Sequence, residues 1–141
     1  MQTANPDLIA LTIQQPWAEL ILRGIKTIEV RSVLAGTQQM IYLYASKRFS
    51  TLPVAAKTAK RHDVDLKSLP TGMVVGTVTI AECRKSLRTD AAAACIPWPL
   101  LKEKYSWMLK SPNAFASPVA ARKVPFGMWF YPFQASARRQ P

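Results

Sequence analysis

Metal-binding and catalytic side chains are scarce in this sequence. It contains two cysteines, Cys83 and Cys95, and one histidine, His62, too few for a four-ligand zinc site of the finger or ribbon type. His62 beside Asp63 lies in a polar stretch and reads as an ordinary surface histidine, since a Ser-His-Asp relay needs an imidazole held by a buried carboxylate. The five glycines, Gly24, Gly36, Gly72, Gly76 and Gly127, never fall into GxGxxG or GxxxxGK spacing, which excludes the usual phosphate-cradling loops. No apolar run nears the roughly 20 residues that cross a bilayer, and no basic stretch precedes a long apolar core at the N-terminus. A cytoplasmic protein with free thiols, no metal and no cofactor is therefore expected.

Negative charge is the other shortage. Eight acidic residues face 19 lysines and arginines, a net charge of +11, so acidic partners are favoured. After Glu103 there are six basic residues and no acidic one. A hydrophobic content of 49% with 19% charged residues marks a chain that folds rather than a disordered basic tail. Its 141 residues suit a single domain that buries about two thirds of its unfolded surface. The expected core spans about residues 8–133, leaving 134–141, with Arg138 and Arg139, as a frayed basic tail.

Periodicity predicts the elements. Residues 8–13 (LIALTI) read as a buried strand, and Pro16 as the start of a helix ending at Gly24, because proline's missing N–H has no intrahelical partner there. Trp17, Leu20, Ile21 and Gly24 then form a core-facing stripe. Residues 25–31 (IKTIEVR) alternate, with Ile28 and Val30 on one face and Thr27, Glu29 and Arg31 on a polar, functional-looking one. Residues 39–45 (QMIYLYA) and 73–83 (MVVGTVTIAEC) are further strands, with Gly76 marking a bulge or close backbone approach. A helix over 51–61 carries Lys57, Lys60 and Arg61 on one face. A short helix is expected near 100–104, and short late strands at 107–109 and 128–133, separated by a proline-bearing loop. Together these describe an α+β fold, a small mixed β-barrel of about six strands with two or three flanking helices.

The segment LTIQQPWAELILRGIKTIEVR, residues 11–31, resembles the opening of the ASCH domain family of the PUA-like superfamily, through its QPWA helix start and the following GxKTxExR. Tyr44-Ala45-Ser46-Lys47, the GMVVGTV of 72–78, Trp107-Met108-Leu109 with Pro112, and Gly127-Met128-Trp129 extend the resemblance in order over nearly the whole chain. It implies a PUA-like barrel with a cleft at one end that receives RNA or a nucleobase. The motif residues are Gln15, Trp17, Lys26, Thr27, Glu29, Arg31, Ser46 and Lys47. Some family members resemble RNA-binding modules, some bacterial members ribonucleases, and one branch hydrolyses N4-acylcytidines. That branch resembles GxKTxTxR, with a threonine nucleophile where this chain has Glu29.

The residues support several chemistries. Lys26, Glu29 and Arg31 lie within six positions, and two cations with one carboxylate hold a phosphate or the polar edge of a base. The plainer alternative is a solvated Glu29–Arg31 pair worth about 0–1 kcal/mol. Trp17 is either core or a stacking platform for a base, a contact worth about 1–3 kcal/mol. Tyr42 and Tyr44 share one face of their strand. The first reading is a module that binds single-stranded RNA or a modified nucleotide through these residues together with Lys57, Lys60 and Arg61. The alternative is a metal-independent ribonuclease, or an amidohydrolase of modified nucleosides, with Lys26, Glu29, Lys47 and Tyr44 as the catalytic set. A protein-interaction adaptor has only the apolar tail from Phe126 to Phe133 in its favour.

Overall fold

A computed structural model describes residues 4–135; Arg138 and Arg139 of the expected tail lie outside them. Six strands form one sheet: β1 (Ala10–Ile13), β2 (Ile28–Arg31), β3 (Met40–Ala45), β4 (Met73–Lys85), β5 (Tyr105–Val119) and β6 (Trp129–Phe130), in the order β2-β5-β4-β3-β1-β6. β1 and β3 are parallel and the other pairs antiparallel. Parallel neighbours need a crossover, which α1 (Trp17–Leu22) and β2 provide. Three more helices follow, α2 (Pro53–Arg61) and the single turns α3 (Ala91–Ala94) and α4 (Trp98–Leu101). The architecture is the expected α+β, PUA-like one, a six-stranded curled half-barrel. No described helix is long and apolar enough to cross a membrane.

The curl creates two apolar layers. On the inside, Leu11, Ile13, Ile41, Leu43 and Trp107 pack against Trp17, Leu20 and Ile21 of α1 and Ala55 and Ala59 of α2. On the outside, Ala10, Tyr42, Tyr44 and Val74 pack with Phe130 and Phe133. Alternate residues of β3 therefore meet apolar partners on both faces, which is why its sequence reads as one continuous hydrophobic run. Side chains, rather than a backbone ladder, join the two ends of the sheet. The indoles of Trp107 in β5 and Trp129 in β6 stack at 5.8 Å and 6°, and Arg31 of β2 donates to the Thr12 carbonyl of β1 at 3.0 Å.

Several boundaries differ from those the periodicity suggests. Gly24 is exposed and leaves the core stripe; it adopts a left-handed φ of +77° just past the end of α1. The strand expected from residue 25 begins at Ile28, because the N–H groups of Ile25 and Lys26 both donate to the Leu20 carbonyl of α1. The helix expected near 100–104 lies at Trp98–Leu101, where Pro97 and Pro99 open it instead of interrupting it. The strand at 107–109 is part of the 15-residue β5, which contains Pro112 and Pro118 where a loop was expected. Both prolines fall in irregularities of the β4–β5 ladder, Pro112 between Lys110 and Asn113 and Pro118 between Ala114 and Val119, where neither has a register partner on β4. The last strand shrinks to Trp129–Phe130.

Gly76 is a point of close approach, as the sequence suggests. A Cβ there would stand 2.5 Å from the Asn113 carbonyl of β5 and 2.7 Å from Leu22 Cδ2 of α1. Because the first obstacle is backbone, Gly76→Ala is expected to destabilise the protein by about 1–3 kcal/mol. Urea denaturation checks this, and a variant as stable as the parent would show that β4 and β5 yield there.

Candidate nucleic-acid interface

Lys26 is aimed inward by the turn that ends α1. It is 3% exposed, and its Nζ donates to the Ala94 carbonyl of α3. The amine lies 4.8 Å from the centre of the Trp17 ring and 3.9 Å from Glu29 Oε1. Glu29 is itself buried, and its Oε2 accepts from Arg31 Nε at 2.7 Å. Arg31 then reaches the Thr12 carbonyl and covers the Trp107 ring at 5.9 Å. The polar face of β2 thus points into the curl, while Ile28 and Val30 pack outward against Ala94 and Leu101. This corrects the picture of a solvated Glu29–Arg31 pair.

Burial dominates the electrostatics here. Loss of hydration lowers the Lys26 pKa, although Glu29 opposes the shift. Trp17 is core, and its ring faces the ammonium. Gln15 is fully buried with its amide committed: Nε2 donates to the Pro70 carbonyl at 3.1 Å, and Oε1 accepts from Glu19 N–H at 2.9 Å. Its side chain thereby satisfies an orphan donor at the start of α1. Thr27 is exposed and its N–H donates to the Ala93 carbonyl.

The remaining candidates gather in two other places. Tyr44 belongs to the outer apolar layer, packed edge-on against Phe130 at 5.1 Å, and burial raises its pKa. With Ser46 and Lys47 it lines a hollow of about 290 Å³. The proposed catalytic set is therefore divided, Lys26 and Glu29 inside the curl and Tyr44 and Lys47 on its outer side. Tyr42 is likewise buried, with its hydroxyl donating to and accepting from the backbone of Asn5.

A cleft of about 530 Å³ opens between α2 and the α3–α4 turn. Lys57, Arg61 and His62 form its polar wall, and Ile25, Ile96 and Pro97 are among its apolar residues. Helical geometry selects the row Val54, Lys57, Thr58, Arg61 and His62; Lys60 is exposed but falls outside that row. His62, expected to be an ordinary surface residue, is a wall of the cleft. The i, i+4 spacing from Thr58 to His62 was the signal for it. Cys95 also lines the cleft, a free thiol whose pKa burial raises against the pull of Lys26 and Arg61. Lys26 lies directly behind this wall, bonded to Ala94. Among the described residues no group of three or more His, Cys, Asp or Glu gathers to hold a metal.

Comparison with known proteins adds the following. Residues 11–119 match the family model for the ASCH domain. The crystal structure of ASCH from Zymomonas mobilis is similar with a TM-score of 0.60 at 12% identity, covering 90% of this chain and 88% of that one. A tyrosine-to-phenylalanine mutant of the Zymomonas mobilis protein gives 0.59 at 12%, covering 87% of this chain and 88% of that one. A serine-to-alanine mutant gives 0.54 at 12%, covering 92% and 90%. At that identity the likeness is one of fold. No curated protein sequence matches this one.

The buried charges set a stability prediction. Glu29→Gln leaves Lys26 and Arg31 without their shared counter-charge and is expected to cost about 3–5 kcal/mol, part of it recovered in Lys26→Met/Glu29→Gln, where only Arg31 stays unpaired. Since the folded Lys26 pKa lies below its ordinary 10.5, the unfolded chain binds that proton more tightly. Stability should therefore rise as pH climbs from the folded value towards 10.5. Chemical denaturation of the parent and of Lys26→Met between pH 8 and 10.5 checks the sign; a flat difference between the two would refute the lowered pKa.

Proposed function

The chain belongs to the ASCH domain family, and from that premise we propose that it binds single-stranded RNA, or a modified nucleotide within it, in the cleft between α2 and the α3–α4 turn. The supporting observation is the two-sided lining of that cleft. Lys57 and Arg61 offer cations to phosphates on one side, and Ile25, Ile96 and Pro97 offer an apolar surface to a base. A volume of about 530 Å³ lies within the ~300–1,000 Å³ range of small-ligand pockets. His62 adds a hydrogen-bonding group, and the exposed Lys60 and Thr27 extend the polar surface around it. Gln15, Trp17, Lys26, Glu29 and Arg31 serve this reading from beneath, by holding the α3 wall and the start of α1. The +11 charge supplies long-range attraction.

This reading predicts the salt dependence. In a fluorescence-anisotropy titration with a labelled single-stranded RNA, log K should fall linearly with log[KCl]. Lys57→Ala and Arg61→Ala should each flatten that slope by about 0.7 and weaken binding. Affinity independent of salt, or unchanged in both variants, would contradict it.

One observation favours a second, enzymatic reading. A lysine whose pKa is lowered by burial, here 3.9 Å from a carboxylate, has more of its amine neutral and available to take a proton than an exposed one. Glu29 stands where the resemblance to the amidohydrolase branch implies a threonine nucleophile, so on this reading hydrolysis runs through an activated water rather than an acyl-enzyme. Incubation of RNA and of N4-acetylcytidine with the protein in EDTA should then yield product, and Lys26→Met should abolish it even at substrate concentrations that saturate the variant. The absence of product from the parent protein leaves binding as the function.

A further inference from the structure

The segment between β5 and β6 carries an aromatic ring that contributes nothing to the core. Phe126 is 98% exposed and Val124 is 72% exposed. The segment is nevertheless tied down at both ends. Arg122 N–H donates to the Pro132 carbonyl at 2.7 Å, the Thr12 hydroxyl donates to the Gly127 carbonyl at 3.2 Å, and Thr12 N–H donates to the Met128 carbonyl at 2.8 Å. Gly127, at φ +119°, makes the turn back into β6. An exposed ring on a pinned segment loses little conformational freedom when it meets a flat partner.

The surroundings indicate that partner's charge. Val124 and Pro125 form one side of the roughly 290 Å³ hollow whose other side is Tyr44, Ser46, Lys47 and Arg48. The stem of Lys47 lies close over Gly72, where an added Cβ would be 3.2 Å from Lys47 Cγ and Cε and 3.7 Å from the Tyr44 hydroxyl. Gly72 thus leaves room for Lys47 beside Tyr44. Arg48 N–H donates to Ser46 Oγ at 3.3 Å, shaping the turn that carries both cations. Arg122 and Lys123 precede the ring in sequence, and no acidic residue follows Glu103. Two cations beside a small hollow, with an exposed ring next along the chain, complement a phosphate and its neighbouring base.

We propose that segment 122–127 and the turn after β3 form a second RNA subsite, separate from the α2 cleft. Lys47 and Arg48 hold a phosphate there, and Phe126 stacks on an adjacent unpaired base. The assignment rests on the RNA-binding reading above and adds a site to it. Because every base has a π-face, stacking at this subsite selects single strands without selecting sequence.

The test uses a single-stranded RNA of about ten nucleotides carrying 2-aminopurine, the 141-residue chain, and the variants Phe126→Ala, Phe126→Trp, Lys47→Ala and Arg48→Ala. Phe126→Ala should weaken binding about 5- to 150-fold and diminish the 2-aminopurine quenching, with thermal stability and salt slope unchanged. Phe126→Trp should retain both affinity and quenching. Lys47→Ala and Arg48→Ala should each reduce the salt slope by about 0.7. Parental binding that Lys57→Ala and Arg61→Ala weaken, but Phe126→Ala leaves intact, would overturn this subsite alone. No binding by the parent would overturn both readings. A dimer that Phe126→Ala dissociates, at unaltered RNA affinity, would assign the ring to self-association and also refute the subsite.

Discussion

One carboxylate inside the curl organises the charged interior of this protein. Glu29 stands between Lys26 and Arg31, and each cation is also tied to a backbone carbonyl of a different element, Ala94 of α3 and Thr12 of β1. Loss of hydration makes isolated charges expensive in such a place. The cluster holds because the carboxylate, the carbonyls and the faces of Trp17 and Trp107 replace the water together. In doing so it joins parts of the fold that no ladder connects. Arg31 bridges two ends of the sheet alongside the Trp107–Trp129 stack. Lys26 fastens the α3 turn against the end of α1.

That fastening links interior to surface. The turn that Lys26 holds is one wall of the α2 cleft, and Cys95, next to Ala94, lines it opposite Arg61. The motif that names the family is thus mostly an internal frame in this chain, and the solvent-facing cations come from other segments. Lys57 and Arg61 are set by the helical repeat of α2, and Lys47 by a turn that relies on the small Gly72. A second ion-pair network, Arg84 with Asp90 and Ser106, fastens the far end of β4 to β5 and the α3 approach. Its hydrogen bonds keep the Asp90 carboxyl well below the usual range. Lys47, Lys57 and Arg61 are exposed and take part in neither network.

How far the sequence could be read follows from the range of each interaction. Alternation and turn chemistry act over a few residues, so β1, β3, β4 and α2 were legible, and with them the α+β half-barrel and the close approach at Gly76. GxKTxExR and QPWA pointed to the family for the same reason: they are contiguous. Local pattern also marked Glu29 and Arg31 as sharing a face. Whether that face met water or the inside of the sheet depended on the curl, a property of six strands together. Only the tertiary structure turned Lys26 and Glu29 inward, committed the Gln15 amide to Pro70 and Glu19, and put Tyr44 on the opposite side from Lys26. It alone brought His62 and Cys95 to one cleft, from the end of α2 and from the end of α3, and left Phe126 in solvent. Element type is decided by neighbours along the chain, whereas burial, and with it the state of every charged group, is decided by neighbours across space.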